Sequence, residues 1–311
     1  MRLAISIPQV WADGTFDPGA FRDFLTRAEE YGFDGAWTLE SVLGRRPTLA
    51  PLETMAYAAA VTSRIRLGCA VFVTPLHSPV HLAKSLASLD QLSAGRVDVG
   101  VGTGGRNRPF AAFGVDPAGL VSRFTEGVEL MKACWTADPV TFDGRFWQLR
   151  DAAMEPKPYQ KPHPPVWFGG NHPNALRRAV AHGTGFMGAG STTTATFADQ
   201  VRAVRAALAD AARDPADFPI AKRVYLAVDD DRAVARTMVA AALEQMYGSF
   251  GLGDLTPVAV YGTPEDVVAG LRAVVDAGAE MLLLHPLADD SAQLDRLVTD
   301  VLPQLRRSTL D

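Results

Sequence analysis

The chain has 311 residues, of which 48% are hydrophobic and 21% charged, and its formal net charge is −5 at neutral pH. That length fits one large α/β domain or two ordinary ones, and folding buries roughly 75% of the surface such a chain exposes when unfolded. An acidic balance without a long basic run excludes nucleic acid and anionic membrane surfaces as expected partners, and no apolar segment approaches the ~18 residues of a membrane span.

The first apolar run, Leu3–Pro8, reads as a strand; its flanks and length do not suit a signal peptide. A helix is expected from Asp17, with Asp17 as cap, Pro18 in its first turn and Gly32 as its left-handed exit. Strands follow at Gly35–Leu39, Ile65–Phe72 and Val97–Val101. Helices lie between and after them, in "LETMAYAAAVTS", at Pro79–Leu92 and at Leu120–Trp135. "VTFDGRFWQL" reads as a hairpin turning at Asp143-Gly144, an insertion more suited to covering than to chemistry. The alternation resumes with strands at Val166–Phe168, Gly185–Met187, Ala221–Val228 and 280–286. Helices are expected at Pro173–Ala181, Thr194–Ala212, Ala233–Gly248, Pro264–Ala277 and Leu294–Arg307, with an irregular connection at 250–262.

Eight strands alternating with helices, each a continuous apolar run, imply a parallel sheet covered on both faces. A closed (β/α)8 TIM barrel spanning residues 1–311 as a single domain fits the count and length. The rival, a doubly wound open sheet, places its glycine fingerprint after the first strand; here the glycines follow the fourth. In a barrel, chemistry gathers where the strands end: Pro8–Trp11, Thr38–Ser41, Val71–His77, Gly102–Arg108, Gly169–Asn171, Gly188–Thr194 and His285-Pro286.

"GVGTGG" (100–105), "FGGN" (168–171) and "GAGSTTT" (188–194) put small residues at three successive strand ends. Glycine there either lets a strand turn sharply or lets a ring or phosphate approach backbone N–H donors. Glu40 and Ser41 close the second strand, either as solvated loop residues or as groups beside a cofactor. His77 lies near the third strand end, Trp11 is a candidate pocket wall, and Trp37 and Phe72 read as core. Arg106 and Arg108 suit an anionic substrate. Histidine and cysteine spacing points to no metal site. The only two cysteines, Cys69 and Cys134, fit buried, inert thiols in a reducing, cytoplasmic compartment.

"RIRLGCAVFVTPLHSPVHLAKSLASLDQLSAGRVDVGVGTGG" (64–105) closely resembles the signature block of the bacterial luciferase-like flavin and deazaflavin oxidoreductases. "GFDGAWTLES", "RFTEGVELMKACWT" and "EPKPYQKPHPPVWFGGNHPNALRRAVAHGTGFM" keep that family's order. The resemblance implies a luciferase-like barrel with insertions, usually a homodimer, binding coenzyme F420 or FMN at the strand C-terminal mouth. It implies a cis peptide at Ala70-Val71, in a bulge of the third strand behind the ring. Gly102, Gly104, Asn107, Gly169, Gly170 and Asn171 fall at cofactor-contacting positions, and Gly190, Ser191 and Thr192 where the phosphate end is expected.

Two departures stand out. Many F420-using members end the second strand in Asp-His, where this chain has Glu40-Ser41. The sugar-phosphate dehydrogenases place a glutamate where this chain has Gly105, which argues against that reaction. The expected activity is hydride transfer between coenzyme F420 and a small organic substrate, with Glu40, Ser41 and His77 as candidate catalytic residues. The alternatives are a two-component FMN monooxygenase, fed by a separate cofactor reductase and dioxygen, and a non-catalytic flavin-binding protein.

Overall fold

The computed structural model describes residues 1–11, 15–105, 110–248, 251 and 253–307. In chain order the strands are β1 (Arg2–Ser6), β2 (Gly35–Thr38), β3 (Arg66–Val73), β4 (Val97–Gly102), β5 (Val140–Asp143), β6 (Gln148–Ala152), β7 (Val166–Gly169), β8 (Gly185–Gly188), β9 (Ile220–Val228), β10 (Val260–Gly262) and β11 (Met281–Pro286). The order β11-β1-β2-β3-β4-β7-β8 is closed by β9, which pairs with both β8 and β11. Every one of these pairings is parallel, which makes an eight-stranded parallel barrel. The antiparallel β5–β6 pair is the expected hairpin, outside the barrel.

The helices are α1 (Pro18–Glu30), α2 (Pro51–Val61), α3 (Pro79–Leu92), α4 (Leu120–Thr136), α5 (Pro173–His182), α6 (Thr194–Asp210), α7 (Arg232–Tyr247), α8 (Pro264–Asp276), α9 (Asp290–Arg296) and α10 (Leu302–Arg307). Asp17 caps α1 through the Gly19 and Ala20 N–H groups, and Gly32 leaves it at φ 77°. Two expectations need correction. The 250–262 connection is not wholly irregular, because Val260–Gly262 pairs with Leu226–Val228 as β10. The closing helix starts at Asp290 rather than Leu294 and passes through a π-helical stretch, Leu297–Val301, before α10; Asp289 caps the earlier start by accepting from the Ala292 N–H.

Side chains alternate between two cores, as strand geometry requires. Outward residues such as Val99, Phe168, Val224 and Leu284 pack under the helices. Inward residues Ala4, Trp37, Trp167, Met187, Ala221, Met281 and Leu283 fill the barrel. Trp37 and Trp167 meet edge to face at 6.0 Å. Only glycine fits at 68, where a β-carbon would lie 2.4 Å from the Trp37 ring. This aromatic plug closes the barrel below and leaves the chemistry to its C-terminal mouth.

Candidate active site at the barrel mouth

The third strand breaks register with β4 between Cys69 and Phe72, a bulge that re-aims the backbone. Its Ala70–Val71 peptide is cis, as the resemblance implied. Three sides hold the bulge. Gly100 sits under it, where a β-carbon would lie 2.0 Å from the Cys69 oxygen. The Val73 N–H donates to Glu40 Oε2 at 2.6 Å. From the opposite wall, Arg223 Nη2 donates to the Ala70 oxygen at 2.7 Å.

Gly102 and Gly169 both make room for Val71. A β-carbon at 102 would lie 2.6 Å from Val71 Cγ2, and one at 169 would lie 3.4 Å from Cγ1. The half-buried Val71 side chain thus stands between two strand ends that carry no side chains. Gly170 has φ 156°, and a β-carbon there would meet Ala175 at 2.7 Å. Gly104 has φ 73°, and among the described residues nothing lies within 4 Å of a β-carbon placed at 105.

Glu40 is only 5% exposed. It is neither a solvated loop carboxylate nor open to a ligand: its second oxygen accepts from His77 Nε2 at 2.7 Å. The structure therefore joins two residues that the sequence offered separately, and it ties both to the segment after the bulge. Ser41 is half-buried beside them. Gln9, unremarked in the sequence, is 1% exposed and crosslinks the mouth loops. Its amide donates to the Leu39 and Leu49 oxygens and accepts from the Leu39 N–H.

The loop after β8 is pinned from below. Lys222 Nζ donates to the Ala189 oxygen and, at 2.9 Å each, to the Thr192 oxygen and Oγ1. Burial, then the neighbouring Arg223, pushes Lys222 down to about 7, while three oxygen acceptors favour its charged form. The Thr192 hydroxyl also donates to the Ala189 oxygen, so it braces the loop rather than facing a ligand. Gly190 lies on the Tyr225 ring, which a β-carbon would approach to 2.6 Å. Ser191 bonds the Tyr247 side chain, whose hydroxyl meets that of Tyr225 at 2.5 Å. Asn171 is exposed, and its Oδ1 accepts from Gln200 Nε2.

Trp11 packs against Phe16 at 5.3 Å, at the head of an aromatic row running to Phe21 and Tyr57. Arg106, Asn107 and Arg108 lie outside the described residues. Burial pushes both cysteine thiols up. Among the described residues, no cluster of three or more histidine, cysteine or acidic side chains is placed for a metal ion.

The sequence reading passed over Arg223 and left His285 unassigned. Arg223 follows Ala221 and precedes Tyr225 on the inner face of β9, while Val224 and Leu226 face outward. Its Nε is buried without a hydrogen-bond partner among the described residues. His285, on the inner face of β11, shares a 2.9 Å hydrogen bond with Ser6 through Nδ1. Its ring edge meets Tyr225 at 5.1 Å. Burial first, then Arg223 and Arg46, hold it well below the usual histidine range, so it is neutral. The available signal was "AKRVY": two adjacent cations inside an apolar strand must face opposite sides, and one of them faces the barrel.

The chain is 28% identical to the F420-dependent glucose-6-phosphate dehydrogenase of Kineococcus radiotolerans, with 94% of either chain covered. Among solved structures, a monooxygenase from Streptomyces bottropensis superposes with a TM-score of 0.85 at 25% identity, covering 98% of this chain and 99% of that one. An F420-dependent secondary alcohol dehydrogenase, in complex with an F420-acetone adduct, also superposes with a TM-score of 0.85. It covers 98% of either chain, and at 20% identity the likeness is one of fold. The model of the luciferase-like monooxygenase family matches residues 1–254, and the chain belongs to that family.

Proposed function

We propose that this protein is a coenzyme F420-dependent oxidoreductase that moves a hydride to or from a small organic substrate at the barrel mouth. The observation that carries the reading is the cradle around the Ala70–Val71 bulge. Two bare strand ends, Gly102 and Gly169, flank a half-buried valine, and the bulge is fixed from β2 by Glu40 and from β9 by Arg223. A flat ring needs such a surface: rigid, apolar, and free of side chains that would block approach. The relatives that use F420 over nearly the whole length support the choice of cofactor.

When bound, the deazaflavin ring supplies the hydride chemistry. Val71, Gly102 and Gly169 would hold its face, while Gly190, Ser191 and Asn171 would hold the part leading to its phosphate. Lys222 keeps the 189–192 loop in place. Glu40 holds the Val73 N–H and orients His77, so it acts through the shape of the bulge. Arg223 and the neutral His285 face the barrel interior, where a substrate group can reach them. Ser41 and Trp11 border the mouth.

We place the protein in the cytoplasm, as a homodimer and as a single domain over residues 1–311. Among the described residues no helix is long and apolar enough to cross a membrane. The glycine at 105, where the sugar-phosphate dehydrogenases carry a glutamate, supports a substrate other than a sugar phosphate. A second reading, an FMN monooxygenase served by a separate reductase, draws on the Streptomyces bottropensis monooxygenase. Titration with F420 and FMN, followed by cofactor fluorescence, separates them: micromolar binding of F420 with weak FMN binding is expected. Tight FMN binding without F420 binding overturns the proposal, and binding of neither favours a protein without this chemistry.

A further inference from the structure

We propose that Arg223 is the anchor for an anionic substrate, and that the molecule taken by this mouth carries a carboxylate. The proposal names the substrate class of the site described above and rests on the reading of the mouth as the place of chemistry.

Arg223 points into the barrel and crosses it to reach the Ala70 oxygen on the opposite wall. That bond uses one edge of a planar fork with five N–H donors. The Nε–H is buried and has no partner among the described residues. Among the described residues no carboxylate forms an ion pair with Arg223. The acid on the far wall, Glu40, has both oxygens engaged, by the Val73 N–H and by His77.

None of the other nearby titratable groups supplies the missing negative charge. The Cys69 thiol and the Tyr247 phenol both have their ionisation pushed up, chiefly by burial, despite the guanidinium close by. His285 is neutral. Lys222, one residue away, adds positive charge from the outer face of the same strand. Arg46, exposed on the loop after β2, adds more, and it acts on His285 together with Arg223. Among the described residues, this flank of the mouth therefore holds cations that no carboxylate pairs directly.

A cation in a low-dielectric interior with an unsatisfied donor is expensive for the folded protein. A bound anion removes both costs at once. Arginine matches the planar geometry of a carboxylate with charge-assisted hydrogen bonds, and the unpartnered Nε–H can make one of them. The neutral His285 on the neighbouring strand β11, held by Ser6, is a polar but uncharged group on the same inner face.

The test uses the full-length protein labelled with 15N. The Arg223 Nε–H cross-peak, identified by its absence from R223K, is followed while sodium acetate replaces sodium chloride at constant ionic strength. Inorganic phosphate is titrated in parallel. A saturable shift with acetate is expected, and a weaker response to phosphate. Acetate affinity, read independently by tryptophan fluorescence, is expected to fall about tenfold or more in R223Q, the loss of one charge-assisted hydrogen bond, and less in R223K.

A cross-peak that moves with neither anion overturns the proposal, and so does one that moves with phosphate alone. A shift produced by coenzyme F420 itself, abolishing the acetate response, assigns Arg223 to the cofactor and also overturns it. F420 binding is measured on the same wild-type sample. An intact acetate response without F420 binding defeats the cofactor reading and leaves the anion site standing.

Discussion

On the β2–β3 flank of the mouth, Glu40 gives both carboxylate oxygens to the chain itself. One goes to the Val73 N–H and the other to His77. Gln9, between the first two strand ends, is likewise satisfied on both sides of its amide. On the β9–β11 flank, Arg223 keeps a buried donor without a partner, and His285 is an imidazole held neutral. A polar group with every bond made inside the fold stabilises; one left incomplete at a cavity is available to a ligand. The comparison divides the mouth into a frame that shapes the bulge and a wall that the proposal assigns to the substrate. On this division Glu40 belongs to the frame.

The strongest way to break this division is to remove Glu40. Glu40→Ala leaves the Val73 N–H unpaired in the interior and frees His77. A loss of about 3 kcal/mol in unfolding free energy is expected, the worth of two hydrogen bonds to a charged group. Urea denaturation checks it. Arg223→Gln is expected to cost less, because it also removes a half-buried cation that no carboxylate among the described residues pairs. Equal losses in the two variants, or an unchanged Glu40→Ala protein with altered turnover, would restore Glu40 to the substrate side.

A smaller effect tests the cradle. Gly102→Ala drives a β-carbon into Val71 Cγ2 at 2.6 Å, and overpacking of this kind costs about 1–3 kcal/mol. Adding Val71→Ala removes the clashing methyl groups, so the double variant is expected to recover most of the stability. F420 affinity should fall in the single variant and stay low in the double, because Val71 and the bare strand end at 102 both belong to the cradle. A single variant as stable as the parent would mean that the glycine is not needed for Val71.

The barrel was legible because its strands are apolar on both faces and punctuated by glycine and capped helices. The Pro79–Leu92 helix matches the expected bounds, since Ser78 caps it and proline opens it. The β10 strand was not legible: three residues, Val-Tyr-Gly, carry no periodicity, and their pairing with β9 depends on the barrel already being closed. The cis bond at Ala70–Val71 came from resemblance, since neither residue type announces it. Glu40 and His77 were visible as polar groups after strands, but their mutual bond was not, because 37 positions separate them. Arg223 was missed for a different reason. It lies within a strand rather than after one, and the phase that turns it inward is set by neighbours that the sequence does not mark.

The finest test of the comparison is the acid limb of stability. His285 is held well below the usual histidine range by burial, by Arg223 and by Arg46. In the unfolded chain it takes up a proton near pH 6.5, whereas in the folded chain it does not. Below that pH the unfolded state therefore binds more protons, and stability falls as the pH drops. Above it the contribution is flat. His285→Gln removes this term, so its stability should decline less steeply than that of the parent between about pH 7 and about pH 5. His163 is also held low by burial, but it is present in both proteins and cancels in the difference. Arg223→Gln should shallow the same limb, since it removes one of the two charges that oppose protonation, and the effects of the two substitutions should not add. Unfolding by urea across that range measures all four proteins of the cycle. Strict additivity would mean that Arg223 and His285 do not share a field, and the wall assigned to the substrate would lose its unity.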